Sequence, residues 1–270
     1  MVSETLAGST WQGSAKGALL SLVGVGPGDP GLLTLKAAAR IMEADCLIAP
    51  KGRRDGASSA LQIAAGAVDI SGKEVLEMHF PMKHVVLRQK RDREVIEAWR
   101  EAAAQVLSRL EAGMRIVFPT LGDPSLYSTA FYLLAVAQEM AANSGQGLAA
   151  EMIPGITAMS SCSCGVLSPL ALGDDILTVI PATFDDDRIE HVLIHHDSIV
   201  LMKVHRSMER VVALLDKTGL TEKAVLVERC GMDGQRIYRD IREAAGRGLH
   251  YFSTILIRKR GLETVTGGEG

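Results

Sequence analysis

The sequence predicts an α/β protein made of two compact units, each with its own apolar core. Three observations carry this expectation. The chain, at 270 residues, exceeds the usual size of a single domain. Short strand-like apolar runs alternate with helical stretches along its length, which argues for a mainly parallel sheet in the first half. Glycine-rich loops follow two of those runs, at the carboxyl ends where open parallel sheets hold their ligands.

The first strand is expected over 18–25, ending in Gly24-Val25-Gly26-Pro27-Gly28-Asp29-Pro30-Gly31, with a helix over 32–43. Strands follow at 46–49, 74–80 and 115–119, separated by helices at 58–65 and, strongly amphipathic, at 92–111. A second glycine loop, Leu121-Gly122-Asp123-Pro124, leads into a helix over 127–141. The small, polar, glycine-rich stretch 143–147 marks the expected boundary, giving an N-terminal α/β domain over 18–142 and a C-terminal one over 148–262, flanked by tails at 1–17 and 263–270. Beyond the boundary come strands at 150–153, 176–180, 198–204, 224–227, 235–238 and 251–257, the turn Pro154-Gly155 with a short helix after it, and helices at 187–195 and 207–215.

Composition narrows the function. Hydrophobic residues at 47% and charged residues at 23% are the balance of a globular protein. Lys plus Arg number 29 against 32 for Asp plus Glu, and a net charge of -3 offers no general attraction to nucleic acid or anionic lipid, so neither is expected as a partner. The first seventeen residues lack the basic start and apolar block of a secretory signal, and no run is long enough to span a bilayer; a cytosolic location is expected. Cys46, Cys162, Cys164 and Cys230 read as buried free thiols, since the Cys-x-Cys spacing is not that of a zinc ribbon, and no metal site is expected.

The first loop resembles a dinucleotide turn only superficially. Pro27 and Pro30 remove amide donors, and the acidic ribose partner expected about 20 residues further on has no candidate, Asp45 coming too early. The segment suits either a rigid loop shaping the mouth of a cleft or a structural turn. In the second loop Gly122 would let a ligand press on the backbone while Asp123 pairs with an ammonium group; alternatively Asp123 caps the following helix. Tyr127, Ser128 and Thr129 offer hydroxyls that serve a ligand or the helix start. His191 and His195, four apart on a helix, read as a solvated face rather than a metal pair. Asp185, Asp186 and Asp187 belong at that helix's positive end. Arg53, Arg54 and the basic run 88–93 read as surface charge, with guanidinium groups suited to a polycarboxylate.

Gly24-Val25-Gly26-Pro27-Gly28-Asp29-Pro30 with Leu33-Thr34, then Gly122-Asp123-Pro124, then Ile153-Pro154-Gly155-Ile156-Thr157-Ala158 resemble, in order and spacing, the signatures of the tetrapyrrole methylases. Within that family, the run Gly122 to Thr129, Phe80-Pro81-Met82, Leu201-Met202-Lys203 and Tyr251-Phe252-Ser253-Thr254 resemble members that methylate carbon 20 of precorrin-2 or cobalt-factor II, and Tyr127-Ser128-Thr129 resembles the cobalt-first branch. The resemblance implies a two-domain tetrapyrrole methylase fold, with a mainly parallel sheet in the N-terminal domain and a mixed sheet in the C-terminal domain. It also implies a homodimer that binds S-adenosylmethionine. Carried over by position, the cofactor contacts are Leu121, Gly122, Asp123, Tyr127, Ser128, Thr129, Thr157, Ala158, Pro181, Met202, Lys203 and Glu228. Gly26, Pro27, Gly28 and Asp29 face the tetrapyrrole substrate, and Asp29 and Tyr127 are candidates for accepting the proton that carbon 20 loses. Leu121 stands where many relatives have glycine. The alternatives are methylation of another ring position or substrate by a relative within the family, a nicotinamide-dependent oxidoreductase, and a non-catalytic tetrapyrrole carrier.

Overall fold

The computed structural model describes residues 17–81 and 92–261, and the chain divides after Ile156 into two units. Met82, Arg88 and the tails, apart from Gly17, lie outside the described residues.

The first unit contains β1 (Leu19–Gly24), α1 (Leu35–Glu43), β2 (Cys46–Lys51), α2 (Ser59–Ala67), β3 (Glu74–His79), α3 (Arg93–Glu111), β4 (Arg115–Thr120), α4 (Ala130–Asn143) and β5 (Ala150–Ile153). Its sheet has the order β3-β2-β4-β1-β5 with every neighbouring pair parallel. Strands covered on both faces are apolar throughout rather than alternating, and Leu20, Leu22, Val23, Leu47, Ile48, Ile116 and Phe118 are accordingly buried. In α3 the buried residues Val95, Trp99, Ala102, Ala103 and Val106 repeat at helical spacing. Trp99 stacks on Tyr132 with ring centroids 4.5 Å apart, which fixes α4 beside α3.

Two helices start later than the sequence pattern suggests. Residues Pro30–Leu32 form a 3-10 turn capped by Asp29, so α1 begins at Leu35, where Thr34 accepts the amide of Ala37. The helix expected from 127 begins at Ala130, because Tyr127 has φ +51°, outside the right-handed helical region. The boundary also moves. β5 pairs in parallel with β1 from Leu20↔Ala150 to Val23↔Ile153 and therefore belongs to the first unit. The stretch 143–147 closes α4: Gly145 has φ +71° and Gln146 N–H donates to the Ala141 carbonyl at 2.9 Å. This is a left-handed helix cap, which needs the same small, polar, glycine-rich residues as a linker.

The second unit contains α5 (Ala158–Val166), β6 (Leu177–Pro181), α6 (Asp186–His195), β7 (Ser198–Met202), α7 (Met208–Thr218), β8 (Ala224–Glu228), β9 (Arg236–Tyr238) and β10 (Ser253–Arg258). The order is β6-β7-β10-β8-β9; β6 and β7 are parallel and the remaining pairs antiparallel, so the sheet is mixed. One face packs on α6 and α7 through Ile189, Leu193, Val211 and Leu215, and the other carries Cys162 and Val166 of α5 against Val200, Val227 and Leu256. Asp185 caps α6 by accepting the Arg188 amide, with Asp186 and Asp187 in its first turn. Three cysteines are buried and free, and burial pushes the Cys46 thiol up to about 11. Cys164 is exposed, since a residue two places from Cys162 on a helix points away from the sheet.

An ideal Cβ on Gly24 would lie 2.6 Å from the Gly155 nitrogen and 2.7 Å from the Gly122 oxygen, all backbone atoms that cannot swing aside. Gly24→Ala is expected to lower stability by about 1–3 kcal/mol, the usual cost of overpacking. Urea unfolding followed by circular dichroism measures it, and an unchanged midpoint would refute this close approach.

Candidate functional site

In the first unit the candidate residues converge at the carboxyl ends of β1, β4 and β5. Beyond β1 and β4 the chains stay joined: Gly26 N–H donates to the Gly122 carbonyl at 3.2 Å and Gly122 N–H returns to the Gly26 carbonyl at 2.7 Å. Both glycines are left-handed, with φ +80° and +70°, a conformation that costs glycine nothing. Gly26, Pro27 and Gly28 are buried, which leaves Asp29 exposed; its Oδ1 accepts the Gly31 amide at 2.7 Å.

Asp123 neither caps α4 nor points freely outward. It is 8% exposed; Oδ1 accepts the Ser125 amide at 2.8 Å as well as the Ser125 hydroxyl, and Oδ2 accepts the Gly155 amide at 2.9 Å. Burial alone would raise its pKa, but those donors outweigh burial and hold the carboxyl below its ordinary value. Further along the loop, the Ser128 hydroxyl accepts the Ala130 amide at 3.1 Å and bonds Thr120 Oγ1 at 2.7 Å, so it serves the helix start. Thr129 occupies the cap position of α4 without a side-chain cap bond, Leu121 is half-buried, and Tyr127 is half-exposed in its left-handed conformation. A non-glycine residue held at positive φ is strained, a state that surrounding contacts must maintain.

In the second unit, the register aligns Pro181 with Met202 and Met202 with Thr254, while Glu228 lies opposite Ser253. Pro181, Met202 and Glu228 therefore share one end of the sheet. Lys203 and Arg229 follow directly from β7 and β8, both left-handed at φ +60° and +54°. Burial pushes the Lys203 ammonium below its ordinary pKa. Glu228 is buried; Oε1 accepts the His250 amide at 2.6 Å, and Oε2 has no hydrogen bond among the described residues, with Arg236 3.9 Å away. The Ser161 hydroxyl bonds the Cys230 sulfur at 3.3 Å and brings the start of α5 to the same end; there Thr157 caps the helix by accepting the Ser160 amide, and Ala158 is its first residue.

Motif reading named Gly24 and Gly155 without giving either a role at the site, and it did not name His205. Gly24 and Gly155 are pressed against neighbouring backbone, and the available signal was glycine beside a strand end. His205, whose ring meets Tyr251 at 5.2 Å, carried no signal in the sequence. The His191 and His195 rings stack on each other at 4.3 Å and are exposed in part, and no group of three metal-ligating side chains exists among the described residues. Among those residues, too, no helix is long and apolar enough to cross a membrane.

One α/β unit carries glycine loops at the carboxyl ends of parallel strands, where open parallel sheets hold ligands, and the other carries a mixed sheet. The chain belongs to the tetrapyrrole (corrin/porphyrin) methylases, whose family model matches residues 19–245. It is 36% identical over 244 residues to the cobalt-precorrin-2 C(20)-methyltransferase of Salmonella typhimurium, covering 89% of this chain and 96% of that protein. It is 32% identical to the precorrin-2 C(20)-methyltransferase of a Sinorhizobium species, over 87% of this chain and 93% of that one. Among solved structures, the uroporphyrin-III C-methyltransferase of Thermus thermophilus complexed with S-adenosylhomocysteine shares the fold, with a TM-score of 0.59 at 18% identity over 88% of this chain and 96% of that one. The chain is thus a methyltransferase of this family, and the nicotinamide oxidoreductase alternative falls away.

The lowered pKa of Asp123 makes an acid-side prediction. A carboxyl whose folded pKa is depressed contributes stability that is present above its unfolded pKa and lost as pH falls through the folded one. The stability gap between the parent protein and Asp123→Asn should therefore be full at pH 6 and shrink below about pH 4. Urea unfolding across that range measures it; a gap that is independent of pH would contradict an ionised Asp123.

Proposed function

We propose that the chain transfers a methyl group from S-adenosylmethionine to carbon 20 of a precorrin-2-type macrocycle in corrin biosynthesis, with the cobalt-containing ring as its substrate. The observation that carries this reading is the end-to-end likeness to the Salmonella cobalt-precorrin-2 C(20)-methyltransferase at 36% identity, against 32% for the metal-free counterpart from Sinorhizobium.

The residues present fit such a cofactor. Gly26 and Gly122 leave backbone where a side chain would intrude, Thr129 keeps a hydroxyl outside the helix cap, and the buried Glu228 Oε2 is an acceptor suited to nucleoside hydroxyl or amino groups. S-adenosylmethionine supplies an electrophilic methyl, so what remains for the protein is placement in line with the ring carbon. On this reading Leu121, Gly122, Asp123, Tyr127, Ser128 and Thr129 form the cofactor surface of the first unit, and Thr157, Ala158, Pro181, Met202, Lys203 and Glu228 that of the second. The loop Gly26-Pro27-Gly28-Asp29 faces the macrocycle.

After transfer, carbon 20 loses its proton. Burial raises the Tyr127 phenol above its ordinary pKa, so it stays protonated near neutrality and is not the group to accept that proton. We assign acceptance of the proton to Asp29, the exposed carboxylate of the first loop.

Anaerobic assays with labelled S-adenosylmethionine and either the cobalt or the metal-free macrocycle test the reading. The expected product carries one new methyl on carbon 20, with kcat/KM higher for the cobalt form, a ratio that reports differential transition-state binding. A methyl on another carbon would overturn the position, and equal values would overturn the choice of ring. The family reading also includes a homodimer; light scattering is expected to give twice the chain mass, and a monomer over a wide concentration range would refute it.

A further inference from the structure

We infer that Asp123 serves cofactor binding as a positioning residue, a brace between the loop after β4 and the turn after β5, and not as the partner of the ligand's ammonium group. The inference rests on the reading that the loop after β4 meets S-adenosylmethionine.

Ile153 is the last residue paired with Val23 of β1, and Pro154 has no amide hydrogen. Gly155 N–H is therefore the first backbone donor past the end of the strand. It lies where the chain is pressed against Gly24 and Gly122: a Cβ on Gly24 would stand 2.6 Å from this nitrogen. Gly155 is half-buried, and its amide finds its acceptor in Asp123 Oδ2 at 2.9 Å. The other oxygen is engaged by the amide and hydroxyl of Ser125.

Among the described residues, the groups that lower the Asp123 pKa are neutral donors, the hydroxyl and amide of Ser125 and the amide of Gly155. Gly122, the preceding residue, is joined to Gly26 by two hydrogen bonds. One carboxylate thus ties the loop after β4, itself joined to the loop after β1, to the turn after β5. Its removal loosens a cradle made of backbone, and every ligand that uses the cradle loses affinity whether or not it carries an amino-acid end.

The test is calorimetry on the full chain with two probes, S-adenosylhomocysteine, which has the ammonium group, and 5′-methylthioadenosine, which lacks the amino-acid portion. Asp123→Asn and Asp123→Ala should weaken both probes alike, by about tenfold or more, as expected for loss of a charged hydrogen-bond acceptor. Ser125→Ala should weaken both by a smaller factor. In turnover, KM for S-adenosylmethionine should rise while KM for the macrocycle stays within about twofold, a split that loss of global stability does not produce.

Loss confined to S-adenosylhomocysteine would establish ammonium pairing and overturn the brace, as would unchanged affinity for both probes. If the parent protein bound neither probe, the proposed function would fall. The brace would then be decided by hydrogen exchange at the Gly155 amide, which Asp123→Asn should accelerate; unaltered exchange would overturn it.

Discussion

The close approach of three backbone segments at Gly24, Gly122 and Gly155 is the constraint on which the first unit's loop architecture depends. A Cβ on Gly24 would overlap backbone atoms of the other two residues. Because none of these positions carries a side chain, the ends of β1, β4 and β5 can lie against one another, and their orphan amides and carbonyls find partners across the loops rather than in water. The pair of bonds between Gly26 and Gly122 extends the contact of β1 and β4 past the end of the sheet. Asp123 then ties the third segment to the first two. A surface made this way is stiff, with few side chains to reorganise.

Stiffness suits the chemistry proposed. Methyl transfer from a sulfonium needs little covalent help and much orientation, so a backbone cradle that is set before the ligand arrives contributes through the entropy already lost on folding. The strained residues belong to the same account. Of the non-glycine residues at positive φ, Lys203 and Arg229 directly follow strands and Tyr127 lies in the loop after β4, while Leu167 ends α5. Strain of this kind persists only where neighbouring contacts over-determine the backbone. At Arg229 one such contact is the 2.7 Å bond from its amide to the Phe252 carbonyl.

The second unit reaches a comparable edge by a different route. β10 runs antiparallel to both β7 and β8, so its first residues lie beside the last residues of those strands. That places the His250-Tyr251-Phe252 approach to β10 next to Lys203 and Arg229, with the aromatic and imidazole rings in mutual contact. Residues up to about fifty positions apart in the chain are gathered by strand direction alone.

The sequence by itself determined the class of fold, the order of its elements and the identity of the two glycine loops. Those follow from local rules: apolar runs for buried parallel strands, the helical stripe of α3, acidic residues at the positive end of α6, and glycine where the backbone turns left-handed. The family was legible because the two glycine loops and the Pro154-Gly155 turn stand in a fixed order. What only the tertiary structure decided were matters of pairing between segments far apart. The stretch 143–147 has the composition of a linker and proved to be a helix cap, because the two need the same residues; only the pairing of β5 with β1 tells them apart. Asp123 could be read as a ligand partner or a helix cap, and which donors reach a carboxylate depends on Gly155, thirty-two residues away, being folded against it. Periodicity carries one residue's preference for a face, and it carries nothing about which distant backbone amide that face will meet.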